Sequence, residues 1–265
     1  MIELERLNPT RLIPGIGRRL SEIPHSIAWE SSKKGIANRK NLESFKGRYK
    51  GEKLFLIANG PSLKDMDLSV LKNEYTMCMN RFYMYFDRLN FTPTFLTCVQ
   101  DLVLEQFKDD FEKLECITFF NWRFRNEFSK AIFLKESYSI NPFFQTDLTK
   151  ATQIGGTVTF ASLQLAYYLG FKEVIIIGMD HSFAEKGTPN KLEVRTHEED
   201  KSHFDPNYFP KGIKWKLPDL KKSEYSYDLA RIAFEQDGRK IIDATVGGHC
   251  MVFEKGVLKD YLTAK

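Results

Sequence analysis

Several polar residues of types that bind ligands or move protons come directly after apolar segments of this sequence. The first group is Asn59-Gly60-Pro61-Ser62, which follows the apolar run KLFLIA. Asn59 offers an amide for a base, a ribose or a phosphate, and Gly60 allows a ligand close to the backbone. Ser62 can cap a following helix, whose N-terminus favours anions. A plain turn between a strand and a helix is the alternative, because the stretch matches neither a GxGxxG nor a Walker motif.

The same arrangement recurs along the chain. Other apolar runs end in polar residues, namely Asn80, Gln100, Asp101, Asp180, Asp243 and Thr245. In QIGGT, Gly155 and Gly156 precede Thr157 at the start of a predicted helix, which makes a second candidate phosphate site. Ligands of open α/β sheets bind outside the carboxyl ends of the strands. These residues therefore predict a nucleotide-type site at that edge.

Two histidines and one tyrosine are candidates for the chemistry itself. His203, in the aromatic stretch SHFDPNYF, is the first candidate for a general base, and His181, which follows Asp180, is the second. Tyr208 is a candidate phosphate ligand. The alternatives are a surface loop position for His203 and a structural hydrogen bond for His181.

These residues need a frame, and the apolar pattern predicts one. Continuous apolar runs are typical of strands buried on both faces, and here they alternate with segments of helical spacing. The predicted strands are KLFLIA, YTMCMN, TPTFLTCVQ, ECITFFNW, KEVIIIGMD and KIIDAT, and the predicted helices are DLSVLKN, VLEQFKDDFEKL, TVTFASLQLAYYL and SEYSYDLARIAFEQDG. Gly170 and Gly238 should end the last two helices. The alternation predicts an α/β fold with a Rossmann-like, mostly parallel sheet and helices on both faces.

The chain divides into a basic N-terminal arm, residues 1–50, and one large domain, residues 51–265. Proline and glycine interrupt the arm, so we expect no long helix there. The arm carries eleven Lys or Arg against five Asp or Glu, a net charge of +6 in a chain whose total is +4. This predicts a peripheral contact with an anionic surface such as a membrane, or else a solvated extension. Residues 184–222 are polar and aperiodic, which predicts an inserted lid or binding loop.

Composition narrows the class of protein. No apolar run approaches the roughly 18 residues of a membrane span, and the N-terminus lacks the uncharged region of a secretory signal. The cysteines have neither CxxC nor metal-ligand spacing; they are Cys78, Cys98, Cys116 and Cys250. We therefore expect reduced thiols in a cytoplasmic chain. The sequence shows no nucleic-acid recognition motif, and it leaves open whether the protein forms a homo-oligomer.

Three stretches carry a family resemblance: IANGPSLKDMDLSVL, MNRFYMYF and IGGTVTFASLQLAYYLGFKEVIIIGMDHSF. They resemble a domain shared by the bacterial sialyltransferases that use CMP-sialic acid and by the MptE-like family. The latter is named for an archaeal 6-hydroxymethylpterin diphosphokinase and has relatives in bacterial surface-glycan gene sets and among flagellin-glycosylating factors. The resemblance covers about residues 53–183. The later stretch, from HFDPNYF to KIIDAT, resembles only the bacterial MptE-like branch.

The resemblance implies roles for residues already singled out. It assigns nucleotide contacts to Asn59, Gly60, Ser62, Asn80, Gly155, Gly156 and Thr157. The sialyltransferases have a catalytic histidine after their fifth strand, in a stretch rich in His and Tyr. This chain offers His197, His203 and Tyr208 in that neighbourhood.

The sequence therefore predicts a glycosyltransferase of cell-surface polysaccharide or glycoconjugate biosynthesis. The expected donor is a CMP-sugar of the sialic-acid type, and the expected acceptor is a glycan, free or lipid-linked. A general base would activate the acceptor hydroxyl, while helix N-termini and hydroxyls would stabilise the leaving group without an essential metal or cofactor. We expect the enzyme in the cytoplasm, with the basic arm able to hold it at the inner face of the membrane.

Two alternatives stay open. A diphosphokinase would use ATP with Mg²⁺ held by Asp101 and Asp180, and Arg81 would contact the phosphates. A nucleotide-binding protein without catalysis would keep the site and lack turnover.

Overall fold

The computed structural model describes residues 17, 19–137, 139, 142–184 and 187–262. Its strands are β1 (Lys53–Ile57), β2 (Tyr75–Met79), β3 (Phe95–Cys98), β4 (Ile117–Asn121), β5 (Ile132–Leu134), β6 (Glu173–Ile177), β7 (Leu192–Val194), β8 (Lys214–Lys216), β9 (Lys240–Asp243) and β10 (Glu254–Lys255). Eight of them form a parallel sheet in the order β10-β9-β6-β1-β2-β3-β4-β5. The predicted α/β, Rossmann-like fold is confirmed.

The helices alternate with these strands along the chain. They are α1 (Ile23–Ser31), α2 (Lys33–Phe45), α3 (Asp101–Gln106), α4 (Lys108–Glu112), α5 (Val158–Leu169) and α6 (Leu220–Gln236). Gly170 ends α5 in the left-handed conformation, as predicted. The predicted helix DLSVLKN contains instead a 3₁₀ turn, Leu68–Leu71, and a second 3₁₀ turn, Pro61–Asp65, precedes it. The predicted helix VLEQFKDDFEKL is split at Phe107, whose backbone is not helical, into α3 and α4.

The strand register places the predicted site residues at one edge of the sheet. Ile57, the last residue of β1, pairs with Ile177 of β6 on one side and with Cys78 of β2 on the other. The central strands β1, β2 and β6 are buried from their second residue onward, as continuous apolar runs require. Because these neighbouring parallel strands end at the same level, the residues that follow them meet at the carboxyl edge.

The N-terminal region differs from its prediction. α2 is 13 residues long, so the expectation of no long helix in residues 1–50 is wrong there. Ser32 caps α2 by accepting a hydrogen bond from the Gly35 amide, and α1 buries Trp29 edge-on against Trp122, with ring centroids 5.1 Å apart. The α1–α2 pair therefore packs on the sheet domain. Residues 1–16 of the predicted arm lie outside the described residues.

One polar side chain joins α2 to the edge strand of the sheet. The Asn38 amide donates to the Phe133 carbonyl at 2.9 Å and accepts from the Phe133 N–H at 2.8 Å. Both backbone groups belong to β5, the last strand of the sheet. The buried amide thus completes hydrogen bonds that a further strand would otherwise make.

The insertion is a packed structure. β7 and β8 form an antiparallel hairpin, and the aromatic side chains Phe204, Tyr208, Phe209 and Trp215 are buried. The Phe204 N–H donates to the Asn59 carbonyl at 2.9 Å, which joins the insertion to the end of β1. The insertion ends earlier than predicted, because α6 begins at Leu220 with Asp219 as its cap. Within the described ranges, no helix combines the length and apolar character that crossing a bilayer requires.

Candidate functional site

A cavity of about 830 Å³ lies at the carboxyl edge of the sheet, between the strand ends and the insertion. Many predicted site residues line it, namely Asn59, Gly60, Asn80, Gln100, Asp101, Gly155, Gly156, Thr157, Asp180, His181 and His203. Ser62, Tyr208, Asp243 and Thr245 are not among its described lining residues. The structure thus brings most of the predicted nucleotide site together.

Two asparagines at the strand ends have unused hydrogen-bonding capacity. Asn59 is 9% and Asn80 8% exposed. The Asn59 amide donates to the Met79 carbonyl at 3.2 Å, yet the side-chain oxygens of Asn59 and Asn80 have no hydrogen-bond partner among the described residues. Burial without a partner is costly for an amide oxygen. Both residues line the cavity, although their side-chain oxygens are themselves buried.

The turn after β1 does not offer the anion site that its sequence predicts. The Ser62 N–H donates to Asp180 Oδ1 at 3.0 Å, and the Ser62 hydroxyl donates to Asp180 Oδ2 at 2.7 Å. A Cβ on Gly60 would lie 1.8 Å from the same carboxylate, so the glycine admits Asp180. The prediction that Ser62 caps the following helix is wrong, because Gly60 holds the cap position. A phosphate here would meet a negative charge.

The second predicted phosphate turn is open to the cavity. Gly155 and Gly156 have φ values of 62° and 88°, which other residues adopt only with strain. Thr157 caps the 12-residue helix α5 by accepting from the Thr159 N–H. The first amides of a helix lack partners within it and attract anions. This glycine turn, defined as Gly155–Thr157, is the best placed group for a phosphate.

Helix α6 supplies a wall that sequence reasoning missed. The Ser226 hydroxyl donates to the Gly155 carbonyl at 2.8 Å, and the Tyr227 hydroxyl donates to Thr157 Oγ1 at 3.4 Å. Tyr227 lines the cavity. Burial raises the pKa of Tyr227 to about 12, against the opposing effect of hydrogen bonds with Thr157 and Thr159. It therefore remains a neutral hydroxyl, which donates to a ligand only by giving up its long hydrogen bond to Thr157.

Tyr208 has a different place from the one predicted. Its side chain is fully buried, and its hydroxyl accepts from the Arg81 N–H at 3.3 Å. Burial also raises the pKa of Tyr208 far above its ordinary value. Its ring stacks on the imidazole of His203, with centroids 4.0 Å apart and planes 9° apart. Tyr208 thus positions His203, and Tyr227 is the tyrosine that meets the cavity.

His203 is held by a carboxylate that the sequence did not single out. Its Nδ1 lies 2.9 Å from Asp200 Oδ2, and Arg195 Nη2 lies 3.7 Å from Asp200 Oδ1. Burial alone would raise the pKa of Asp200. The hydrogen bond and charge of His203, the hydrogen bond of Ser202 and the charge of Arg195 outweigh burial and hold that pKa below its ordinary value. An ionised Asp200 fixes the proton on Nδ1 and leaves Nε2 as a proton acceptor. The D-x-x-H spacing was the available signal.

His181 also lines the cavity and also contacts a carboxylate. Its Nε2 lies 3.0 Å from Glu224 Oε1 of α6, and its side chain is buried. Its backbone has a φ of 56° in the left-handed region, where strained residues often serve a site. His197, by contrast, is exposed and is not among the described lining residues.

The residues of the alternative metal site are engaged with protein groups. Asp101 accepts from Asn121 at 2.9 Å and from Arg123 at 3.1 Å, and Asp180 accepts from Ser62. Arg81 is buried, with its guanidinium on the Asn207 and Tyr208 carbonyls and 3.6 Å from the Phe107 ring centroid. In the ranges that the structure covers, no cluster of three or more His, Cys, Asp or Glu is arranged to hold a metal.

Two further predicted residues stabilise the sheet beside the cavity. Asp243 pairs with Lys255 at 2.7 Å and accepts from the Thr245 N–H at 3.0 Å. Thr245 Oγ1 in turn accepts from the Met179 N–H at 3.0 Å. These contacts join the ends of β9 and β6.

Comparisons with known proteins agree with this geometry. The family model described as 6-hydroxymethylpterin diphosphokinase MptE-like matches residues 31–186. Among solved structures, the MAf glycosyltransferase from Magnetospirillum magneticum AMB-1 is similar, with a TM-score of 0.52 and 14% sequence identity over 86% of this chain and 39% of that chain. This chain thus spans about two fifths of that protein's length, and the likeness is one of fold. No curated protein matches the sequence.

Proposed function

The chain belongs to the 6-hydroxymethylpterin diphosphokinase MptE-like family, and from this premise we propose that it is a glycosyltransferase using a nucleotide-activated donor, a CMP-sugar of the sialic-acid type. One observation carries the proposal. A single cavity at the carboxyl edge is lined by an open glycine turn, by two asparagines whose side-chain oxygens lack described partners and by an imidazole oriented by a buried carboxylate. The first two features suit a nucleotide, and the third suits proton removal from a hydroxyl.

The donor would bind along the floor of the cavity. Its phosphate would accept hydrogen bonds from the glycine turn, from the start of α5 and from the Tyr227 hydroxyl. The oxygens of Asn59 and Asn80 would accept from ribose hydroxyls or from an amino group of the base. These contacts satisfy the buried oxygens that otherwise lack partners.

The acceptor would react beneath the insertion. His203 Nε2 takes the proton of the acceptor hydroxyl, while Nδ1 keeps its hydrogen bond to Asp200. The acceptor oxygen forms a bond to the anomeric carbon, and the bond from that carbon to the phosphate oxygen breaks. The nucleotide monophosphate leaves with the electron pair. A glycan or lipid-linked glycan of the cell surface is the acceptor we propose, reached at the inner face of the membrane.

Two other functions are less well supported. A diphosphokinase has the family name in its favour, but Asp101 and Asp180 already accept hydrogen bonds from protein donors. A binding protein without catalysis needs neither the dyad of His203 and Asp200 nor its place in the cavity wall. The name of the MAf glycosyltransferase favours sugar transfer.

Calorimetric titration tests the proposal first. The purified protein is titrated with CMP in metal-free buffer and then with ATP and Mg²⁺. CMP binding without metal, followed by turnover of a CMP-sugar with a glycan acceptor, is the expected result. Binding of ATP only with Mg²⁺, while CMP is silent, would overturn the proposal in favour of a diphosphokinase. CMP binding without turnover over a broad acceptor screen would favour a binding protein.

A further inference from the structure

Three residues on one face of α6 contact the three residues of the glycine turn. Ser226 bonds to Gly155 and Tyr227 to Thr157. The third contact is Lys222, whose side-chain carbons Cδ and Cγ lie 3.2 and 3.4 Å from the position of a Cβ on Gly156. Lys222 and Ser226, four positions apart, share a helix face, and Tyr227 lies at the edge of that face. The first turns of α6 are therefore built against the glycine turn.

Lys222 brings a positive charge to this contact. It lines the cavity, it is exposed, and its aliphatic stem packs beside Gly156. The part of the chain that the structure describes gives this ammonium no ion-pair or hydrogen-bond partner. The neighbouring acids have other partners: Asp219 accepts from the Lys222 backbone N–H at 3.1 Å and from Asn190, and Glu224 lies 3.0 Å from His181.

A second observation, independent of Lys222, indicates that a ligand binds in this cavity. Asn59 and Asn80 are more than nine-tenths buried, their side-chain oxygens are unpartnered within the described ranges, and both residues line the same cavity. Contacts connect them to the glycine turn, because the Thr159 hydroxyl of α5 lies 3.6 Å from the sulfur of Met79, the residue whose carbonyl accepts from Asn59. A molecule that meets the asparagines is thus within reach of the first turn of α5.

We propose that Lys222 is the cation of an anion site whose ligand is the phosphate of the donor, with the glycine turn and Tyr227 as its other walls. The inference rests on the proposed function in taking the cavity as the donor site. A CMP-sugar carries one negative charge at its phosphodiester, whereas released CMP carries about two at neutral pH. An ammonium at this position therefore binds the departing nucleotide more strongly than the donor. This stabilises the charge that develops as the bond to the sugar breaks.

The test compares two adjacent lysines. Lys222→Met removes the ammonium and keeps most of the stem, while Lys221→Met is the control, because Lys221 is exposed and is not a described lining residue. Calorimetry with CMP, ATP, inorganic pyrophosphate and cytidine is run on the wild type and both variants. We expect Lys222→Met to weaken the binding of phosphorylated ligands about tenfold and to leave cytidine unchanged. Lys222→Arg should retain binding, and thermal melts should coincide.

The outcomes separate this inference from the donor assignment. If CMP is silent but pyrophosphate or ATP binds and Lys222→Met weakens it, the anion site stands and the CMP donor is wrong. If CMP binds equally to the wild type and to both variants, the donor site stands and Lys222 is not its cation. If no phosphorylated ligand binds the wild type, or if Lys221→Met has the same effect as Lys222→Met, the proposed anion site is overturned.

Discussion

The floor and the roof of the cavity are built in different ways. The floor consists of the strand ends and the glycine turn, where backbone groups and buried amides face the ligand. The roof is the insertion, where stacked aromatic rings support His203 and where the hairpin exposes Leu192, Val194, Lys214 and Lys216. A rigid floor suits a constant part of the substrate, such as the nucleotide. A roof with exposed side chains suits the variable part, the acceptor.

The largest expected effect is the loss of turnover on substitution of His203 in the roof. His203→Ala should lower turnover about 100-fold or more, because a general base contributes at least that much, while CMP binding on the floor stays within a factor of about two. Initial rates and calorimetry on the same preparation measure both. His197→Ala, at an exposed position, is the matched control. Undiminished turnover would remove His203 as the base.

Substitution of either asparagine in the floor should weaken CMP binding. Asn59→Ala and Asn80→Ala each remove an acceptor for the ligand and should weaken CMP binding about tenfold, which is 1.4 kcal/mol. Neither should unfold the chain, since the Asn80 oxygen has no described partner and Asn59 gives up one hydrogen bond. Calorimetry measures CMP binding by each variant, and thermal melts show whether the variant is folded. Normal CMP binding by both variants would show that the donor site is elsewhere.

Substitutions of two tyrosines, one in the floor and one in the roof, test the difference between these two regions further. Tyr227→Phe should weaken CMP binding about fivefold, because the phosphate loses one hydroxyl donor. Tyr208→Phe keeps the ring that stacks on His203 and loses the acceptor of the Arg81 N–H. It should leave CMP binding unchanged and cost about 1 kcal/mol of stability. The opposite pattern in calorimetry and urea unfolding would reverse the two roles.

A fall in pH should lower the free energy of unfolding through Asp200, which lies in the insertion that forms the roof. The pKa of Asp200 is held below its ordinary value of 3.8, so Asp200 stabilises the folded protein above that pH. The contribution is lost as the pH falls through the folded-state pKa. The free energy of unfolding of Asp200→Asn should therefore fall less than that of the wild type between about pH 5 and about pH 3. Urea unfolding across this range measures the difference, and parallel curves for the two proteins would contradict the linkage.

The hairpin lysines give the smallest effect. The double change Lys214→Ala and Lys216→Ala should raise the KM for an anionic glycan acceptor about threefold, the scale of exposed charge contacts, and leave CMP binding unchanged. Lys211→Ala is the control, since Lys211 pairs with Glu198 at the surface. A loss of CMP binding in the double variant would assign the hairpin to the donor.

The same division explains what could be predicted from the sequence. The strands and the carboxyl edge followed from apolar runs such as Val174–Ile177, because burial on both faces leaves a local signal. The places of Lys222 and Tyr227 beside the glycine turn could not be predicted, since they depend on how α6 packs against residues far away in the chain, whereas Asp200 left a local signal in its spacing from His203. Ser62 was misassigned for the same reason, as its partner Asp180 lies on another strand.

The N-terminal helices were missed for a local reason. α2 is largely polar and buries only a narrow stripe, with Leu42 and Phe45 among its few buried apolar side chains. α1 contains a proline, a residue that breaks a helix when it lies in the interior. Pro24 lies in the first turn, where the missing N–H has no intrahelical role.

The carboxylate of Asp180 determines at which end of the cavity an anion can bind. Two turns at this edge have the backbone form that attracts anions, and the chain fills the one after β1 with its own negative charge. Of these two turns, both within the described part of the chain, the glycine turn is the one left for an outside anion. An elongated ligand with a phosphate at one end can then enter in a single orientation, with its uncharged end toward β1. The charge of Asp180 thus sets the orientation in which such a ligand binds, before any chemistry takes place.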